Sequence, residues 1–186
     1  MAESKNNVVT HGLTGLVGDM LVFRNRGGKT FVSTKPKERT GEPSENQKQQ
    51  QERFQDSILY AKAAIADPAI KAEYAKAITG NETAYNIAVA DFFHAPEVKS
   101  VDLIDYTGKV GDKIMIRAVD DFKVVEVSVS ILTANDTVVE HGKAVCSNGV
   151  DWMYTATVVN ETLAGTRVVV CATDMPGNIT EVEQEM

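Results

Sequence analysis

The sequence predicts an α+β chain in which an N-terminal hairpin arm and a short three-helix region precede an antiparallel β-sandwich. Three observations lead there. Apolar residues recur at helical spacing between residues 44 and 95. From residue 98 onward they alternate with polar ones, segment after segment. Ahead of both lies a glycine-rich stretch followed by two β-forming runs around a Gly-Gly turn. The regions are 1–43, a basic Gly-rich arm with a β-hairpin; 44–95, helical; and 96–186, the sandwich.

In the arm, GLTGLVG sets Gly12, Gly15 and Gly18 three apart, and Leu21, Val22 and Phe23 then face Phe31 and Val32 across Asn25-Arg26-Gly27-Gly28. The glycines suit close backbone approach or positive φ in an extended segment that packs against another chain. A lone hairpin is marginal in water, so its apolar face calls for a further surface. Residues 33–51 turn polar and hold Pro36 and Pro43.

Ser44 with Gln47 three residues later reads as a capping box, and Phe54, Ile58, Ala61 and Ile65 follow at steps of four, three and four. Asp67-Pro68 begins a second helix carrying Ile70, Tyr74 and Ile78. A third is expected over about residues 82–93, with Tyr85, Val89 and Phe92 on one face. Three short helices with so few apolar residues make a thin core, which points to burial against something else.

Seven segments then alternate: VKSVDLI, KIMIRAV, VVEVSVSILT, TVVEHGKAV, DWMYTATVV, TRVVVCAT and NITEVEQ. Val125, Val127, Val129 and Ile131 are expected to face one way, with Trp152, Tyr154, Ala156 and Val158 as a second inward series. Seven short strands with turns at Asn135-Asp136, Asn148-Gly149 and Pro176-Gly177-Asn178 describe an immunoglobulin-like sandwich. Cys146 and Cys171 lie in strand-like stretches and are expected as small buried hydrophobes rather than a disulfide framework.

VVEVSVSI, the segment around Trp152 and ATDMPGNIT, with its A-x-D-x-x-G-N-x-T pattern, resemble bacterial immunoglobulin-like domains over nearly half the chain. That resemblance implies a spacer, an adhesive module or a decoration on a surface or virion. The opening GLTGLVGDMLVFRNRGGKTFVSTKPK is similar to the start of uncharacterised proteins of Bacteroidetes-type bacteria and their phages. It implies a structural or phage-associated role.

Composition bounds the rest. With 186 residues, 43% hydrophobic and 24% charged, the chain can bury a core, and disordered, collagenous and coiled-coil classes are excluded. No apolar run approaches the roughly 20 residues that span a bilayer, and MAESKNNVVTHG lacks the order of a signal peptide. The expectation is synthesis in the cytoplasm, no membrane insertion, and a final location in a virion or assembled particle. The net charge of -7 hides a division, since residues 1–90 carry 12 Lys and Arg against 10 Asp and Glu, whereas residues 91–186 carry 7 against 16. Seven of the basic side chains, Lys5, Arg24, Arg26, Lys29, Lys35, Lys37 and Arg39, fall in the first forty residues. Complementary ends permit head-to-tail contact between copies.

Motifs for chemistry fail on inspection. A phosphate loop ending at Gly28-Lys29-Thr30 requires glycine where Phe23 stands, and the Gly12, Gly15, Gly18 spacing is not a dinucleotide fingerprint. His11, His94 and His141 are scattered without metal-ligand spacing, and no catalytic residue is expected. The loops after the second and sixth sandwich strands share one pole and hold Asp120, Asp121 and Asp174, with Asn178 nearby. Such oxygens suit Ca²⁺, although Asp and Asn also terminate strands and form turns on their own account. The expectation is therefore no cofactor, with calcium as the one ion the residues allow.

These features favour a non-enzymatic structural subunit that self-assembles or docks into a larger particle through an arm built on Gly12, Gly15, Gly18, Leu21, Phe23, Arg24, Arg26, Lys29 and Phe31. The partners would be copies of itself or other particle subunits. An adhesion or carbohydrate-binding module using Trp152 and Tyr154 is one alternative. A nucleic-acid-associated protein using the basic arm is the other, opposed by the acidic remainder.

Overall fold

The computed structural model describes residues 2–4, 8–10, 12–37 and 41–186, so Lys5, His11 and Arg39 lie outside the described residues. The chain forms two compact units, Met1–Gln51 and Glu52–Met186.

The first unit is a four-stranded antiparallel sheet in the order β1-β4-β3-β2, made of β1 (Ala2–Ser4), β2 (Gly15–Val17), β3 (Leu21–Arg26) and β4 (Lys29–Thr34). The β3–β4 hairpin is the one the sequence predicts. Arg26 pairs with Lys29 around Gly27 and Gly28, whose φ values of 58° and 74° supply the two left-handed residues of a tight primed turn. The flanking β1 and β2 have three residues each, too few to show a period, and only pairing reveals them. The unit ends in the first turns of α1 (Glu45–Ala66). There the Ser44 N–H donates to Gln47 Oε1 at 3.0 Å and the Gln47 N–H donates to Ser44 Oγ at 3.4 Å, closing the expected capping box.

The second unit holds the rest of α1, α2 (Pro68–Lys76), α3 (Ala84–Asp91) and the sandwich. Asp67 caps α2 by accepting from the Ala69 N–H at 2.8 Å, with Pro68 in the first turn. Helix α3 is shorter than expected. Thr83 takes its N-cap, and at its far end the Phe93 and His94 N–H groups donate three residues back, to the Ala90 and Asp91 carbonyls, in turns that close the helix. The buried helix positions are Ser57, Ala61, Ala64, Tyr74, Ala84, Ala88 and Asp91, mostly smaller than the predicted stripe of Phe54, Ile58, Ala61 and Ile65. Alanines permit close approach. Phe54 stays half exposed and stacks on Phe93 at 6.4 Å. Phe122 and Met175, from loops of the sandwich, pack against this cluster, so the thin helical core is completed within the same unit.

The sandwich pairs β5 (Glu97–Asp102), β6 (Lys113–Val119), β9 (Val145–Cys146) and β10 (Asp151–Thr155) in the order β5-β6-β10-β9. It sets them against β7 (Val124–Leu132), β8 (Val138–Lys143), β11 (Arg167–Asp174) and β12 (Ile179–Glu185) in the order β12-β11-β7-β8. Taken in sequence as strands A to G, this is the A-B-E-D and G-F-C-C′ order of an immunoglobulin-like sandwich. Ile114, Ile116, Val127, Val129, Ile131, Trp152, Tyr154, Val168 and Val170 fill its core. Each such aliphatic side chain contributes about 1.5–3 kcal/mol by leaving water.

Four sequence expectations need correction. Val125 faces out beside a register shift opposite Thr173 and Asp174, because the irregularity adds a residue and flips the alternation. Val158 lies beyond the end of β10 and is exposed, unlike Trp152, Tyr154 and Ala156. TVVEHGKAV is two strands: β8 pairs with β7 and β9 pairs with β10, so the chain changes sheets at Ala144. Cys146 is exposed, and Cys171 is half buried on the outward row of β11, so neither is a core residue and both are free thiols.

Ile116→Ala is expected to cost about 2–5 kcal/mol because it opens a cavity between the sheets. Val145→Ala, at an exposed position, is expected to stay within about 0.5 kcal/mol. Denaturant melts of the two variants give the comparison.

Candidate functional site

Two places gather the residues singled out by sequence. The first is the sheet of the N-terminal unit. Gly12, Gly15 and Gly18 have φ values of 76°, 107° and 59°, and a Cβ on any of them would meet nothing within 4 Å. Among the described residues of this chain they meet the positive-φ part of the expectation.

Register sorts the remaining arm residues onto two faces. Val17, Leu21, Phe23, Thr30 and Val32 share one; Leu16, Val22, Arg24, Arg26, Lys29 and Phe31 share the other. Phe23 and Thr30 are buried, and the Gly12 N–H donates to Thr30 Oγ1 at 3.3 Å on that side. The opposite face joins three cations to Phe31. A hollow of about 530 Å³ is lined by Arg24, Arg26 and Phe31 together with Thr14 and Asn25. Asn25, expected in the turn, is a residue of β3 paired with Thr30.

The second place is the acidic pole of the sandwich. Asp120 follows β6, and its Oδ2 accepts from the Phe122 and Lys123 N–H groups at 3.3 and 2.9 Å. Asp174 ends β11, and its Oδ1 accepts from the Gly177 and Asn178 N–H groups at 2.9 and 2.6 Å. The Asn178 side-chain amide donates to Asp174 Oδ2 at 2.7 Å and lies 3.2–3.5 Å from the carbonyl oxygens of Asp91, Phe92 and His94. Those carbonyls close α3, so Asn178 ties the end of this helix to the sandwich.

The helix adds a residue that sequence reasoning missed. Asp91 ends α3 on the face of Ala84 and Ala88, and its carboxylate lies with those of Asp120 and Asp174, one oxygen of each being within 4.8 Å of the others. The missed signal was an acid four and three residues along an alanine face, at a position where a helix normally buries something apolar. Asp121, named with the others by sequence, is elsewhere. It is exposed and pairs with His94 Nδ1 at 2.7 Å.

Burial governs the electrostatics. Tyr74, fully enclosed and stacked on Phe122 at 4.4 Å, donates its hydroxyl to Asp91 Oδ2 at 2.5 Å, and Tyr60 lies 2.7 Å behind it. Burial pushes the Asp91 carboxyl up to about 7, helped by the negative charges of Asp120, Asp174 and Asp121 and opposed by the Tyr74 hydrogen bond. Burial also raises Asp174, against the hydrogen bonds from Asn178 and Gly177. The same enclosure raises Tyr74.

Ser130 Oγ meets His141 Nδ1 at 2.9 Å as a directly opposed cross-strand pair, a contact that no sequence spacing reveals. It lies on an open sheet face, and among the described residues no carboxylate orients the ring. Trp152 and Tyr154 are core residues, as the inward series expects, and so form no aromatic platform on the surface for the alternative adhesive reading. No family model matches the chain, and no curated protein matches it either.

The raised carboxyl of Asp91 sets a pH dependence. Folded Asp91 keeps its proton up to about pH 7, whereas in the unfolded chain it ionises near pH 4. Across that interval the folded state binds more protons at this carboxyl, so the contribution of Asp91 to stability is full below about pH 4 and is lost as pH rises to about 7. In buffer free of divalent cations, Asp91→Asn is expected to flatten this fall and to be the more stable form at pH 8, by on the order of a few kcal/mol. Denaturation at pH 5 and pH 8 reads both effects.

Proposed function

We propose that this chain is a non-enzymatic structural subunit that joins copies of itself, or sister subunits of a virion, filament or layer, through its N-terminal sheet. One observation carries the reading. Leu16, Val17, Met20 and Leu21 are between 39% and 71% exposed on the β2–β3 hairpin, with Val17 paired to Leu21 on one face, Leu16 beside Val22 on the other and Met20 in the turn between the strands. Scattered exposed apolar residues are ordinary, but a hairpin that exposes them on both faces of a small sheet with so little interior leaves apolar surface for a further partner to cover.

The covering subunit is of complementary charge. Arg24, Arg26 and Lys29 lie on one face of the sheet. The acidic half of the chain offers β12, an edge strand whose Glu181, Glu183 and Glu185 are exposed at alternate positions. An added strand gains main-chain hydrogen bonds at such an edge, while charge steers its approach. Nucleic acid is the second reading, favoured by the same three cations gathered around Phe31 and opposed by the charge of the sandwich half.

Light scattering on the full chain is expected to give species well above the 20.2 kDa protomer. Replacing Arg24, Arg26 and Lys29 by Gln should slow assembly, as should 1 M salt, where the Debye length is about 3 Å against about 10 Å at 0.1 M. Preformed particles should persist in salt, because apolar burial responds weakly to screening. A monodisperse protomer at high concentration overturns the assembly reading, and salt-sensitive retardation of DNA by that protomer would favour the second.

A further inference from the structure

The acidic pole holds more negative charge than its surroundings answer. Three carboxylates converge within 4.8 Å, two of them on buried residues. Among the described residues, no lysine, arginine or histidine forms an ion pair with Asp91, Asp120 or Asp174; nearby, Lys123 is engaged by Glu73 and the His94 ring by Asp121. The C-terminal end of α3, with the negative end of its peptide dipoles, points to the same place.

A second observation is independent of the clustering. Asp91 is only 2% exposed, Tyr74 occupies its Oδ2, and its Oδ1 is shut off from solvent with no hydrogen-bond donor, while one oxygen of this carboxylate lies within 4.8 Å of oxygens of Asp120 and Asp174. Asp120 repeats the pattern, with Oδ2 held by two backbone N–H groups and Oδ1 enclosed and without a donor. A buried oxygen of this kind costs about 1–3 kcal/mol, more if charged, unless something electropositive meets it. Two such atoms beside a third carboxylate describe the donor side of a coordination shell.

We propose that Asp91, Asp120 and Asp174 form a Ca²⁺ site that fastens the end of α3 to the pole of the sandwich. Asp91 Oδ1, Asp120 Oδ1 and an oxygen of Asp174 are the protein ligands, and waters complete the six to eight oxygens that calcium takes. A cleft of about 250 Å³ lined by Glu82, His94, Asp121 and Phe122 reaches Asp91, one of the three carboxylates. Ligands from a helix end and two loops form an irregular set. Calcium tolerates that, whereas Mg²⁺ demands near-octahedral geometry. Asn178 belongs to the outer ring, since its amide nitrogen faces oxygens and holds Asp174 in place.

The alternative is that the carboxylates share a proton and need no ion. Full-length protein stripped with chelator and held at pH 7.5 separates the two. Adding 1–10 mM CaCl₂ is expected to raise the melting temperature by about 3 °C or more, with a smaller rise for MgCl₂. Asp91→Asn and Asp120→Asn should each weaken calcium binding at least 10-fold by calorimetry. Tb³⁺ in place of calcium should show tyrosine-sensitised emission, which Tyr74→Phe should diminish; this readout stands even where a carboxylate variant fails to fold. No thermal shift and no sensitised emission up to 10 mM ion overturns the site. So does a calcium response undiminished in Asp91→Asn.

Discussion

The second unit depends on a single polar junction. A helix that ends against a protein surface leaves carbonyl oxygens that need donors. At the end of α3 they find the amide of Asn178, which donates at the same time to Asp174. The turn that presents Asn178 is itself shaped by Asp174 Oδ1, which gathers the Gly177 and Asn178 N–H groups. One short loop thus finishes a sheet and a helix together. With the helix end held, Asp91 is carried to the sandwich pole and Tyr74 comes to lie over Phe122.

The helical layer is built for closeness rather than bulk. Its buried positions are chiefly alanines, which contribute little apolar area each but let helices and loops approach. Its largest buried side chain is Tyr74, and Phe122 and Met175 from the sandwich loops join helix residues such as Tyr60, Ile70 and Tyr85 in packing around it. A helix pair this thin cannot repay its chain entropy alone. Its stability is therefore tied to a polar and acidic junction, where protonation or an ion bears directly on folding.

The N-terminal sheet follows another logic. It has no opposing layer among its own strands, and among the described residues its buried ones are Phe23 and Thr30 on one side. Its turn and its glycines are locally consistent with the fold, so the sheet is well specified as backbone while its side chains remain uncovered.

Much of this was written in local sequence. The Ser44–Gln47 box, the Asp67-Pro68 start, the Gly27-Gly28 turn and the period-2 runs of the sandwich are short-range signals, each set by a backbone preference or an alternation that needs no distant partner. Asp120 and Asp174 were also legible, because strand order places their loops at one pole. Only the tertiary structure decided the rest. The irregularity that turns Val125 outward and the change of sheet at Ala144 depend on what lies opposite, which a single strand does not encode. Asp91 stood as an ordinary acid at a helix end until packing placed it against two others, and Asp121, its neighbour in the motif, was drawn away by His94. Helices, turns and alternation are properties of a few adjacent residues, whereas a cluster of charges from α3, the loop after β6 and the end of β11 exists only once the chain has closed on itself.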